Sequence, residues 1–171
     1  MTERALVIGL GSPDGGDDAV GLWVARRVAS LAPPDVAVVE HEDPTGLIDL
    51  WSGSNLAVVV DAVRSGAPPG TVLVLEAGQD AAPLAETAWA AAGRGGTHAF
   101  GLAAAVELAR ALHRLPRRLV LVGVEVETVE HSTALSAPVS AALGAGVAAV
   151  EAALAPAPAL ARAEVTADVP R

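Results

Sequence analysis

Leu6-Val7-Ile8-Gly9-Leu10-Gly11-Ser12-Pro13-Asp14-Gly15-Gly16-Asp17-Asp18 is the stretch that decides the fold class. A short unbroken apolar run that ends in glycines is the pattern of a strand buried on both sheet faces and entering a loop. Helical spacing follows at once, with Val20, Trp23, Val24, Val28 and Leu31 on one side, until Pro33-Pro34 stops it. Val36–Glu40 predicts a second strand. Asp43-Pro44 then supplies a cap and a first-turn proline for a helix carrying Leu47, Ile48, Leu50 and Trp51.

Leu56–Val60 is the most β-like segment and stops at Asp61. The turn-rich stretch from Arg64 to Gly70 is too short for a crossover helix, so Leu56–Val60 and Thr71–Leu75 are expected to be antiparallel neighbours. Gly78 to Gly96 reads as an Ala/Gly-rich loop with one helical turn around Trp89. Thr97 caps a helix through Leu102, Val106, Ala109 and Leu112, Leu119–Val126 is a further buried strand, and Ser136–Leu154 is a closing helix of small residues. Helices alternating with apolar strands imply a three-layer α/β/α domain around a mostly parallel twisted sheet of about five strands, one of them antiparallel. That domain is expected over residues 1–155, with 156–171 a disordered, proline-marked tail.

Composition narrows the function. A chain of 171 residues fits one domain with a real core, and 52% hydrophobic against 18% charged residues excludes a disordered acidic segment. The formal net charge of -9 repels phosphate backbones, so nucleic-acid binding is disfavoured. The absence of Cys excludes disulfides, thiolate nucleophiles and iron–sulfur clusters. No signal-peptide pattern opens the chain. The uncharged stretch from Ser132 to Val150 is too rich in Ala, Ser and Gly for a spanning helix, which leads to the expectation of a soluble, cytoplasmic, monomeric protein without a membrane partner.

In such a sheet, ligands sit beyond the carboxyl ends of the strands. Three segments deliver polar groups there: the first loop with Asp17 and Asp18, Asp61 after the third strand, and His98 at a helix start. Two carboxylates and one imidazole at one rim suit a divalent cation. The plainer readings are a helix cap for one of the two acids, a turn cap for Asp61, and a backbone-bonded His98. Two consecutive acids exceed what one cap requires, and a helix N-terminus disfavours imidazolium, keeping His98 in the neutral form that binds metal. His41 is a further rim residue; His113 and His131 are less suited. A dinucleotide loop is disfavoured because Asp14, Asp17 and Asp18 stand where a pyrophosphate would sit. No Gly-x-Ser-x-Gly nucleophile signature occurs.

Gly9-Leu10-Gly11-Ser12-Pro13 followed by Gly16-Asp17-Asp18-Ala19-Val20-Gly21 resembles the opening of the nickel–iron hydrogenase maturation endopeptidases. The resemblance continues through Val60-Asp61-Ala62-Val63, His98-Ala99-Phe100-Gly101-Leu102, the Leu119–Val124 strand and Leu135-Ser136-Ala137-Pro138-Val139. It implies a nickel-dependent endopeptidase that removes a C-terminal extension from the nickel-loaded large-subunit precursor of a NiFe hydrogenase. By position it places the metal contacts on Asp18, Asp61 and His98, catalysis on Asp18 and Asp61, and the helix cap on Asp17. The nickel would be supplied by the substrate. Ser12 stands where the family usually has Asn, and Glu42-Asp43-Pro44-Thr45-Gly46 where it often has Gly-Gly-Thr. The competing expectation is a nickel-sensing or nickel-carrier module that cuts nothing.

Overall fold

A computed structural model describes residues 5–84, 89, 97–127 and 132–156, with the backbone alone for 97–100. Among them five strands form one sheet in the order β2-β1-β3-β5-β4. These are β1 (Ala5–Leu10), β2 (Val36–His41), β3 (Leu56–Val63), β4 (Val72–Glu76) and β5 (Arg118–Glu125). β1 pairs in parallel with β2 and β3, β3 in parallel with β5, and β4 lies antiparallel to β5. The helices are α1 (Val20–Ala29), α2 (Leu47–Leu50), α3 (Thr97–Ala111) and α4 (Ala137–Leu154).

The expected three-layer, mostly parallel architecture with one antiparallel strand is what the chain forms. One neighbour relation differs. β3 and β4 are not adjacent, because β5 lies between them. Burial gives the reason. From Leu119 to Val124, β5 is covered on both faces, whereas Val74 of β4 is 56% exposed. A continuous apolar strand placed at an edge would leave that surface in water; a short strand with an exposed Glu76 tolerates it. β3 also runs three residues past the expected end, so Asp61 lies within the strand, opposite Gly123.

Alternation divides the sheet into two unlike faces. Leu6, Ile8, Leu10, Val59, Leu119 and Leu121 join Trp51, Leu102 and Val106 under α2 and α3. Val7, Val58, Val60, Val120 and Val122 join Val20, Val24, Val139 and Val147 under α1 and α4. The second face is made of small residues, so its helices approach closely: a methyl group on Gly146 would meet Val24 Cγ2 at 3.0 Å. α4 is long and apolar enough to cross a membrane, yet Val139, Leu143, Val147 and Val150 are buried inside the domain. Most of the expected 156–171 tail, and residues 85–88 and 90–96 of the Ala/Gly-rich loop, lie outside the described residues, although Trp89 itself is buried.

Candidate active site

The first loop closes on the strand ends because two glycines allow it. A side chain on Gly21 would collide with the carbonyls of Leu10 and Val60, and one on Gly9 would meet Ala25 Cβ at 2.6 Å. The glycines thus seat α1 on β1 and β3 rather than shaping a phosphate cradle. Gly11, at φ 149, turns the chain out of β1, and its amide donates to the His41 carbonyl at 3.1 Å. Residues Gly16–Ala19 then make a 3-10 turn that packs on β3.

The two acids of that turn have different partners. Asp17, 6% exposed, accepts from the Ser136 amide at 2.6 Å and from Ser136 Oγ at 2.8 Å. Ser136 is the N-cap of α4, so Asp17 ties the first loop to a helix more than a hundred residues away. The resemblance implied that Asp17 caps its own helix. No side-chain cap bond is made there, and a turn that begins as a 3-10 helix leaves the carboxylate directed at α4 instead. Asp18 folds back onto its own loop, accepting from the Ser12 amide at 3.1 Å. Gly15 makes room for it: a methyl group there would lie 2.8 Å from Asp18 Cβ and 3.3 Å from Asp18 Oδ2.

Asp61 is completely buried, and its Oδ1 accepts from the Ala62 amide at 2.8 Å. It continues the Ala57 and Val59 row of β3, the face that α3 covers. Beside it, Gly123 has Trp89 against it, with 3.0 Å between a methyl group at that position and Trp89 Cζ2. α3 begins at the same rim. A methyl group on Gly101 would meet Pro44 Cγ at 2.9 Å, so the helix start abuts the loop after β2. His98 is the second residue of α3, whose first turn begins at Thr97; its side chain lies outside the described residues. Asp43 caps the Pro44–Gly46 turn, accepting from the Thr45 amide at 2.9 Å as its sequence position requires. His41 ends β2, and a methyl group on Gly46 would touch its ring. His113 sits past the end of α3, and His131 is outside the described residues.

The structure therefore places the turn of Asp18, the strand of Asp61 and the backbone of His98 along the carboxyl edge of one sheet. Among the described residues no three His, Asp or Glu side chains form a metal-holding cluster. One buried carboxylate at this edge went unread in the sequence. Glu125, 2% exposed at the end of β5, accepts from the amides of Ser65 and Gly66 and from Ser65 Oγ at 2.7 Å. It fastens the loop after β3. A Glu closing an apolar strand opposite a Ser-Gly turn was the available signal.

Comparison with known proteins agrees with this architecture. The family model HycI, hydrogenase maturation protease, matches residues 35–154. No curated protein matches. Among solved structures, the hydrogenase-maturating endopeptidase HybD from E. coli is 25% identical with a TM-score of 0.73, covering 88% of this chain and 91% of that one. A hydrogenase 2 maturation peptidase from a Thaumarchaeota archaeon is 27% identical with a TM-score of 0.62, over 88% and 97% of the two chains. HybD from Thermococcus kodakarensis, at 22% identity and a TM-score of 0.67 over 87% and 97%, shares the fold. A family match across most of the domain, on a sheet whose carboxyl edge carries Asp18 and Asp61, leads to one conclusion: the chain belongs to the hydrogenase maturation protease family.

Proposed function

We propose that this chain is the endopeptidase that removes the C-terminal extension from the nickel-loaded large-subunit precursor of a NiFe hydrogenase. The observation that carries the reading is the family match over residues 35–154, which spans Asp61 and His98. Membership of a protease family disfavours the carrier alternative.

Nickel enters this reading as part of the substrate, contacted by Asp18, Asp61 and His98. Two carboxylates and an imidazole are a mixed hard and borderline donor set that suits such an ion. The space left by Gly15 beside Asp18 and the local amide bonds on both carboxylates are consistent with a pre-oriented pair. A carboxylate has about four acceptor sites, so an amide bond and a cation contact are compatible on one group. Bound there, the ion would supply Lewis acidity.

The chain's own contribution is orientation and proton handling. Rigid placement of the scissile bond can lower a barrier by roughly 7–11 kcal/mol in favourable cases. Asp18 or Asp61 acts as the base toward the attacking water, and the same group returns the proton to the leaving amine. The loop Glu42–Gly46, at the rim beside α3, contacts the substrate and selects the precursor. The reading also takes the protein to be cytoplasmic and a monomer, to be checked by fractionation and gel filtration.

Incubation with a nickel-loaded precursor tests it. The precursor should lose the mass of its C-terminal peptide, while the nickel-free form stays whole. A loaded precursor that binds and keeps its full mass would refute the endopeptidase.

A further inference from the structure

On the α1/α4 side, next to the rim, a groove of about 590 Å³ runs between α1, the segment Thr133–Leu135 and the start of α4. Trp23, Arg26, Arg27, Leu135 and Leu143 give it its character. Trp51 and Trp89 are buried, but Trp23 is 38% exposed. A chain with 2% aromatic residues that leaves an indole in water gives up apolar burial that its core would gain.

The surroundings of Trp23 are ordered. The Arg26 guanidinium stands 5.6 Å from the ring centroid and makes a two-pronged pair with Glu40 at 2.8 Å on both arms. That hydrogen bond raises the Arg26 pKa, so its charge is held and matched by Glu40. Arg27 is exposed and makes no ion pair among the described residues. On a protein of net charge -9, it is a cation that no carboxylate of the described residues pairs with. An exposed indole beside an unmatched guanidinium is the composition of an interface hot spot.

The groove wall is hydrogen-bonded to the first loop. The Gly16 amide donates to the Ser132 carbonyl at 2.7 Å, the Ser132 amide donates to the Asp14 carbonyl at 3.1 Å, and Asp17 grips Ser136. A partner held at the rim therefore extends naturally over this groove. Stable recognition buries roughly 1,200–2,000 Å² in total, more than a peptide bond and a metal contact provide.

We propose that this groove docks the precursor: it takes an acidic segment with an aliphatic side chain, away from the scissile bond. The aliphatic group covers Trp23, and a carboxylate pairs with Arg27. The identity of the partner rests on the proposed function; the chemistry of the groove does not.

The test uses the full chain and the nickel-loaded precursor, with Kd measured by titration and kcat and KM by loss of precursor mass. Trp23→Ala and Arg27→Glu, both at exposed positions, should each raise Kd and KM about tenfold while leaving kcat near its original value. Arg27→Lys should restore most of the affinity, and salt should weaken the original chain more than Arg27→Glu. Unchanged Kd and KM in both variants would overturn the proposal. So would a dimer on gel filtration that Arg27→Glu dissociates without altering precursor binding, because the occupant would then be a second copy. Tight binding that both variants weaken, with no loss of mass, would sustain the groove and defeat the endopeptidase. No binding by the original chain would defeat both.

Discussion

The Gly16–Ala19 turn and the ends of β3 and β5 each carry two carboxylates, and within each region the two have parted company. In the turn, Asp17 holds the start of α4 while Asp18, the next residue, bonds its own loop at Ser12. At the strand ends, Glu125 holds the Ser65-Gly66 loop while Asp61 bonds the adjacent Ala62 amide. Asp17 and Glu125 accept from both backbone and hydroxyl of a distant segment, which makes them anchors. Asp18 and Asp61 each accept from a local amide, which helps to fix a rotamer. Burial does not separate the classes, since Asp61 is as enclosed as Glu125.

Replacing one acid at a time would break or sharpen that division. The largest effect is expected at Asp18 and Asp61: Asn at either should lower precursor processing by roughly 10²–10⁴-fold, with the folding midpoint little changed. Comparable processing by either variant would remove it from the machinery. Glu125→Ala should act on stability, lowering it by roughly 1–3 kcal/mol in urea unfolding, because three donors on the half-buried to exposed Ser65-Gly66 loop lose their acceptor. Activity per folded molecule should survive. Asp17→Ala is intermediate in kind, costing about 1–3 kcal/mol of stability, with a further fall in kcat as the turn under Asp18 loosens. Ser136→Ala should reproduce a part of both effects, since it keeps the amide and loses only Oγ. The smallest effect belongs to Asp43→Ala, where loss of one cap bond should cost roughly 0.5–2 kcal/mol and shift KM more than kcat.

The legibility of the sequence follows the same line between local and distant. Runs such as Leu6–Gly9 and Leu119–Val124 are readable because both faces of a parallel strand need apolar residues, whatever lies beside them. The Asp43-Pro44 turn start is readable because cap and capped amide are two residues apart. Strand adjacency was not. Whether β4 meets β3 or β5 depends on competition for the sheet centre, and a short connection between β3 and β4 speaks only of direction. Asp61 and the start of α3 could be assigned to the rim because strand ends and helix starts fall there by topology. The division of labour between Asp17 and Asp18 was hidden, because the deciding partner, Ser136, lies in another element.

The grip of Asp17 on Ser136 also sets an order in time. The β1–α1 turn is translated well before Ser136, so a nascent chain carries that turn without its α4 partner until α4 begins. The support that Ser136 gives the turn beneath Asp18 is therefore gained late in synthesis, more than a hundred residues after the turn itself.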